Sequence, residues 1–596
     1  MIVSMKKITV IFDSVKTEET LCALREYGSF HPSPGKKPES PEIEMLKKNT
    51  GILDKALSLL PETKDNDDQT TQNGDLIGLA NNIIATASNI KIIHEDLKPL
   101  EKELDSIKKW GKSDKTLIDD LINKGINIRF FRCPKKDMAQ FPDNVFSFYA
   151  FDDGGMTVAG VVLYNQAIDS DLGFQEVFPP LRNVETVAGI IKEKEKKLLE
   201  LEIKLESYGK LKKALEDELL SLQKRLEFET VKAGIIEKDR ISILTGFCPE
   251  SEADRLKKLA EKHAWAIMSE APDEKDPAPT LVRHSKISGL FSPVMDFVGI
   301  VPAYHEYDAS MSFLVFFTIF FAILVGDAGY GVIILIATFL FSRFTNRLPQ
   351  NAILLLYLLS TAAIIWGAIS GIWFASERIA EIPFFRAFII PSIFGFSPES
   401  DISIPRICMV IAFLQLASAH VWRAARAYPS LLIFAEAGWI AVLGGVFFII
   451  DFLILNSPVS PLIKPLVIFG SICVLIFAGQ NSDGFKSGMI RGLKNMPMTL
   501  LSGIGCFSDT VSYIRLFAVG LASKEMAVAF NNIALSVGFE SFIPATAAVL
   551  ILISGHAINI ALAVMAVLVH GIRLNFLEYS THLNMEWTGI KYAPFR

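Results

Sequence analysis

Ser508–Ala522 reads SDTVSYIRLFAVGLA and places one arginine, Arg515, inside an apolar helical pattern. A second arginine, Arg573, sits in Ala566–Tyr579, AVLVHGIRLNFLEY, again between apolar flanks. An arginine near the centre of a bilayer helix costs about 2.5 to 3.5 kcal/mol on insertion scales, so such a residue faces protein or a water-filled cavity and marks function. The alternative for each is a side chain snorkelling to the headgroups. That fits Arg573 better than Arg515, because the apolar run Met498–Phe507 extends the helix behind Arg515. The two arginines lie 58 positions apart about Pro544. Placing Pro544 in the turn between two long helices brings both guanidinium groups to a similar depth.

Outward from this pair, residues 308–596 form a series of apolar runs, while residues 1–307 are rich in Lys and Glu. The pattern predicts an α-helical polytopic membrane domain at 308–596 with eight spans, near 310–326, 329–342, 351–375, 405–422, 431–455, 461–479, 500–535 and 545–580. The last two exceed the roughly 20 residues a bilayer needs and are expected to tilt or project. With a cytoplasmic N-terminus, eight spans put Arg343, Arg347, Arg423, Arg426, Lys486, Arg491 and Lys494 on the cytoplasmic side, as the positive-inside rule requires. Counting the first pair as one span inverts that arrangement. Of the other polar residues, Asp327 in VGDAGYG reads as a turn residue on the far side. His420, Glu436 and Asp451 read as interfacial, Lys524 and Glu525 as a neutralising pair, and His556 as a packing contact. His570 and Glu578, three residues before and five after Arg573, read as lining a polar path along the last helix.

The soluble half reads as a cytoplasmic α+β domain with an antiparallel coiled-coil arm and globular ends. A strand over 5–12, a helix over 18–27 and polar loops through HPSPGKKPESP and Pro61–Gln72 open the chain. Ile93, Leu97, Leu100, Leu104 and Ile107 recur at spacings of 4, 3, 4 and 3 on a charged background, a coiled-coil seam within a helix over about 77–125. A second heptad-like helix is predicted over 184–231. The α/β insert between them, about 126–183, carries strands near 126–132, 145–151 and 157–164 and would form the tip. Residues 1–75 and 232–280, with a strand over 241–247 and a helix over 250–264, would form the base. A dimerising coiled coil is the alternative; the interrupted pattern favours an intramolecular hairpin. Forty-three basic against 51 acidic residues before 308 leave no basic patch, so nucleic acid is not an expected partner. The six cysteines show no paired spacing, so neither a disulfide framework nor a zinc site is expected. No GxxxxGK[ST] or GxGxxG occurs, so no nucleotide site, cofactor or metal is expected and no residue is assigned a catalytic role. The short apolar core of MIVSMKKITVIFDS does not read as a signal peptide.

SYIRLFAVGLA around Arg515, GHAINIALAVMAVLVHGIRLNFLEY around Arg573, VGDAGYG at Asp327 and PTLVRHSKISGLFSPVMDFVGIVPAYHEYDAS at the soluble-to-membrane junction resemble the large membrane subunit of rotary V/A-type ATPases, called subunit a or subunit I. The resemblance covers essentially the whole chain and is closest to the prokaryotic members. It implies a stator subunit that offers two half-channels for proton or sodium translocation against a ring of proteolipid c/K subunits with membrane-embedded carboxylates. Arg515 and Arg573 fall on the family's two arginines; Ser512, His570, Glu578 and Asp327 are candidates for half-channel lining or support. Other implied partners are the peripheral stalks, the central-stalk and nucleotide-binding subunits and the lipid membrane. The implied location is a prokaryotic plasma membrane, multi-pass, with both termini cytoplasmic. Leu501 and Ala563 stand where some members carry acids, and Tyr330 stands where a histidine is often found. Competing readings are a secondary transporter whose paired arginines bind an anionic substrate, which lacks the expected internal repeats, and a membrane-anchored scaffold, for which two inserted arginines bring no gain.

Overall fold

The computed structural model describes residues 2–61, 75–110, 120–121, 123–134, 146–153, 156–164, 175–178, 182–273, 276–344, 348–480 and 484–596. Most of the Pro61–Gln72 loop, the end of the helix expected over 77–125, Arg347 and parts of the tip insert therefore lie outside the described residues. The chain divides into two compact units, one of Ile11–Glu26, Pro32–Leu244 and Phe595–Arg596, the other of Met1–Val10, Tyr27–His31 and Thr245–Pro594.

The first unit is built on helices α1 (Pro41–Leu59), α2 (Leu76–Lys109), α3 (Val184–Tyr208) and α4 (Lys212–Ala233). Their starts follow from capping chemistry: Ser40 Oγ accepts from Ile43 N with Pro41 at the first helical position, Asp75 caps Gly78 N and Asn183 caps Thr186 N. The seam read from the sequence is the contact face between α2 and α3, where Ile93, Leu97 and Ile107 bury against Val187 and Ile191. Lys194–Asp96 at 2.7 Å and Arg182–Glu103 at 3.8 Å fix an antiparallel course, since one chain number rises as the other falls.

Two features of this unit differ from the sequence reading. The helix expected over 184–231 is interrupted by a 3-10 turn at Gly209–Leu211, after which α4 begins at Lys212. Helix α1, not anticipated between a proline-rich loop and a polar one, buries Leu46, Leu53 and Ala56 against Leu215 and Leu222 of α4. The insert forms a four-stranded antiparallel sheet in the order Phe146–Asp153, Met156–Tyr164, Ile126–Cys133, Gln175–Val177. Trp110 stacks edge-on against its Phe130 and Phe151.

The second unit carries strand residues of Met5–Asp13 and Ile241–Pro249, the strand Ala266–Glu270 and all the apolar helices of residues 308–596. These are α5 (Ser310–Val325), α6 (Ala328–Phe344), α7 (Gln350–Ser370), α8 (Ser400–Ala427), α9 (Leu432–Leu455), α10 (Ile463–Phe477), α11 (Met496–Ser512), α12 (Ile514–Val537) and α13 (Phe542–Ala566). Helices α11 and α12 form one 42-residue run, as do α13 and its continuation to Leu583. Six helices among the described residues are long and apolar enough to cross a membrane, or seven if the bent pair α5–α6 counts as one span. One of the six is α2, whose apolar face packs within the first unit; the other five are α7, α8, α9 and the two 42-residue runs. Helices α5 and α6 meet at 118°, and α10 has 15 residues.

Between helices in lipid, close packing does the work that water exclusion does elsewhere. A Cβ on Gly438 of α9 would lie 2.8 Å from Gly470 O of α10, and one on Gly470 2.6 Å from Gly438 O, so glycine at both positions lets the two backbones touch. At the α5–α6 bend Gly326 has φ +67°, and Asp327 follows. The turn between the two longest helices is Gly538–Ser541, and Pro544 lies inside α13, not in the turn where the sequence reading put it. Asn531–His556 and Ser523–Asn559 hydrogen bonds trace the antiparallel course of α12 and α13.

The chain's end returns to its middle. Ile590 and Lys591 pair in parallel with Pro279 and Thr280, Tyr592 Oη donates to Ser29 O, and Tyr307 Oη donates to Leu583 O. The last helix thus ends beside the segment that leads into α5.

Candidate functional site

Helices α11–α12 and the helix after α13 converge on one buried carboxylate. Arg515 Nη2 lies 2.8 Å from Glu578 Oε1, and Arg573 Nε lies 3.3 Å from the same oxygen. The Glu578 side chain is 5 % exposed, that of Arg515 29 % and that of Arg573 53 %. Two cations of unequal exposure therefore share one anion, and Arg515 is the more enclosed. Arg515 Nε also donates to Ser512 O at 2.9 Å, which anchors the base of the guanidinium and leaves its far nitrogen aimed at Glu578. Glu578 Oε2 is buried and has no hydrogen-bond partner in the chain, and the same holds for His570 Nδ1. Buried polar atoms are almost always paired, so these two stand out among the described residues of the site.

Local geometry explains how one carboxylate reaches both arginines. The helix beyond Ala566 widens into π-helical turns at Val567–Gly571 and Leu574–Tyr579, on either side of Arg573. Single π turns of this kind occur often at functional sites, because the extra residue per turn re-aims side chains. Spacing of five residues between Arg573 and Glu578 suits a π turn, where residue i meets i+5, and would separate the side chains on a regular α-helix.

A neutral network braces the site from behind. Tyr513 Oη donates to Gln415 Oε1 at 2.8 Å, Gln415 Nε2 donates to Asn575 Oδ1 at 2.8 Å, and Asn575 Nδ2 donates to Phe313 O at 3.3 Å. Tyr513, Gln415 and Asn575 are fully buried. The network ties α8 and α5 to the residues flanking Arg515 and Arg573, so the arginines stand on a fixed wall.

The other sequence candidates separate clearly. Ser512 contributes its carbonyl; its hydroxyl donates to Asp509 O and does not touch Arg515. Asp327 is a structural latch: Oδ1 accepts from Gly329 N at 2.7 Å and Phe374 N at 2.9 Å, and Oδ2 from Ala375 N at 2.9 Å. It starts α6 and holds Phe374 and Ala375 at φ +50° and +49°, away from the arginines. His556 bonds Tyr330 Oη at 2.7 Å and Asn531 Oδ1 at 3.1 Å, and Tyr330 also accepts from Asn559, giving a second polar patch further along α12 and α13. Lys524 pairs with Glu525 at 2.8 Å, and Asp451 with Arg406 at 3.0 Å. Ala563 is buried and Leu501 exposed. His420 and Glu436, read as interfacial, are buried within the protein and bonded to each other. No group of three or more His, Cys, Asp or Glu among the described residues could hold a metal ion.

Comparison with known proteins brings related chains to this geometry. The model of the V-type ATPase 116kDa subunit family matches residues 180–354. The V-type ATP synthase subunit I of Borreliella burgdorferi is 30 % identical over 615 residues, covering 100 % of this chain and 99 % of that one. V-type ATP synthase subunit I 1 of Treponema pallidum is 28 % identical over 82 % of this chain and 81 % of its own. The A-type ATP synthase subunit I of Methanocaldococcus jannaschii is 23 % identical over 66 % of this chain and 61 % of its own.

Proposed function

Because the chain belongs to the V-type ATP synthase subunit I family, a multi-pass membrane component of a rotary ATPase, we propose that it is the stator of the ion path and that Arg515 is its central charge. The observation that carries this reading is the convergence of Arg515 and Arg573 on the single buried Glu578. As a carboxylate on a rotating proteolipid ring comes opposite Arg515, the guanidinium favours its ionised form and lowers its pKa by about 1 to 3 units. The carboxylate gives up its ion there and cannot carry it straight past. Two half-channels, one open to each side, load and empty the ring. Glu578 holds Arg515 in place between arrivals, and Arg573 broadens the positive field. His570, with an unpartnered Nδ1 beside them, lines the path. The helices of the first unit form the arm that meets the peripheral stalks, and the central-stalk and nucleotide-binding subunits complete the machine in a prokaryotic plasma membrane.

Eight crossings fit the chain's ends. Leu583 ends beside the entry to α5, so the number of crossings between them is even. With α7 to α10 and the two long runs crossing, the α5–α6 pair must cross twice or not at all, and the short, sharply bent pair reads best as a hairpin of two crossings. Both soluble segments then lie on one side of the membrane, and the basic residues Arg343, Arg423, Arg426, Lys486, Arg491 and Lys494 of the loops favour the cytoplasmic side.

The deciding experiment is ATP-driven ion uptake by vesicles carrying the intact complex. Arg515→Ala and Arg515→Lys are expected to assemble and to abolish uptake, since lysine cannot bond Ser512 O and Glu578 together as the planar fork does. Arg573→Ala is expected to be milder, in line with its greater exposure. Normal uptake by either Arg515 variant would sink this reading.

A further inference from the structure

The membrane helices do not pack evenly. Helices α9 and α10 touch through Gly438 and Gly470, yet α9, α10 and the first half of α11 enclose a cavity of about 450 Å³. Its walls include Val442 and Val446 of α9, Val467 and Val474 of α10, and Leu500 and Ile504 of α11, and none of the described residues lining it is charged. Gly503 of α11 belongs to the same wall, and a Cβ added there would meet nothing within 4 Å. Small residues in membrane helices usually admit a neighbouring backbone. This one faces open space. Wall atoms without neighbours forfeit their dispersion contacts, so a crevice of this size within a bilayer favours an apolar occupant.

One end of the crevice is basic. The short helix Phe485–Lys494 lies there, held by close approach to the end of α10. A Cβ on Gly492 would overlap the carbonyl of Leu475, a crevice residue, and one on Gly479 would lie 2.7 Å from Gly492 N. Phe485, Met489, Ile490 and Leu493 are exposed on one face of this helix, and Lys486, Arg491 and Lys494 are its only charged residues. Such an amphipathic helix lies in the headgroup layer and attracts anionic lipid. Lys494 precedes Met496, where the α11 wall of the crevice begins, by two residues. We propose that the crevice holds one acyl chain of an anionic phospholipid, whose phosphate is held by the basic side chains of Phe485–Lys494. This lipid site is separate from the ion path and stands whether or not Arg515 meets a ring. The volume fits one chain: 450 Å³ takes on the order of fifteen groups the size of a water, about 30 Å³ each, and a methylene is of similar size. A membrane-spanning helix of 20 residues, about 10 Å across and 30 Å long, needs about five times that volume. A polar ligand finds little to bind, since Thr499 Oγ1 already donates to Asn495 O. The acyl chain thereby covers the side of α11 that protein leaves bare.

The test is photolabelling of the intact complex in phosphatidylcholine vesicles that carry a trace of phosphatidylglycerol with a photoreactive acyl chain, read by mass spectrometry of the labelled peptides. Labels are expected within 439–446, 467–475 and 496–507. The same photoreactive chain on phosphatidylcholine is expected to label them at least about fivefold less, the factor that one basic side chain near the surface contributes. Gly503→Leu, which puts a side chain into the open space, should lose most of this label and keep the label on other lipid-facing peptides. Replacing Lys486, Arg491 and Lys494 together by Gln should abolish the preference for phosphatidylglycerol. Equal labelling by the two lipids in the unaltered complex shows ordinary boundary lipid and overturns the proposal, as does full crevice labelling in Gly503→Leu. Absence of label from the crevice, with other lipid-facing peptides labelled, overturns it in favour of a neighbouring protein subunit. If a variant fails to assemble, the ratio of the two labels in the unaltered complex decides alone.

Discussion

Replacing Glu578 with glutamine removes the one negative charge that Arg515 and Arg573 share, at a site where the carboxylate is 5 % exposed. The 2.8 Å bond from Arg515 is charge-assisted and of the class that contributes about 1.5–3 kcal/mol. The contact with Arg573 is longer and that side chain is half exposed, so it adds less than about 1 kcal/mol. An amide keeps an accepting oxygen and loses the charge, which weakens the hold on Arg515 by about 1–2 kcal/mol, a factor of about 5–30. A ring carboxylate competing for Arg515 gains that amount. Its pKa in the Arg515 position should fall by about one further unit, since one unit corresponds to about 1.4 kcal/mol. The assay is carbodiimide labelling of the ring carboxylate in the purified complex as a function of pH, run beside ATP-driven uptake. Glu578→Gln should move the labelling profile about one unit down and slow uptake, because the ring carboxylate leaves Arg515 more slowly; Glu578→Asp should fall between. A profile that does not move, together with wild-type uptake, would refute the idea that Glu578 restrains Arg515.

Asp327→Ala strips acceptors from Gly329, Phe374 and Ala375 N–H. At about 1–3 kcal/mol for each buried group left unpaired, the detergent-solubilised subunit should lose several kcal/mol, read as a lowered unfolding temperature and faster proteolysis near Phe374. An unchanged unfolding temperature would deny the latch. His31 Nδ1 sits 2.7 Å from Ala593 O and 3.2 Å from Ala593 N, and burial pushes its pKa below the usual imidazole value of about 6.5. A base whose folded pKa is depressed supports the fold above the unfolded value and loses that support as pH falls through the folded one. The protection factors of the backbone amides of residues 589–593, with intrinsic exchange divided out, should therefore fall as pH drops below the usual imidazole value, and His31→Gln should remove that fall. Protection factors that stay equal through the imidazole titration range would contradict it.

The sequence carried the fold where period and composition act locally. The α2–α3 seam was visible because Ile93, Leu97 and Ile107 repeat at coiled-coil spacing, and the apolar helices 350–370, 400–427 and 432–455 because their runs are long. Helix α1 was missed because prolines stand at both ends of it. The break at Gly209–Leu211 hides inside an unbroken heptad pattern. At the site, the two arginines stood out through their cost in an apolar run. That Glu578 joins them depended on π-helical turns, for which side-chain pattern gives no signal. The His420–His582 contact unites residues 162 positions apart, and neither is unusual in its own segment.

The pairing of Ile590 and Lys591 with Pro279 and Thr280 also bears on how the membrane domain is made. The two partners are separated by every crossing the chain makes, so the pairing can close only after the last helix has been threaded. A chain inserted with one crossing too few or too many would strand its tail across the bilayer from Thr280, with Tyr592 unable to reach Ser29. The final residues can therefore be fastened only when residues 279–280 and 590–591 end on the same side of the membrane.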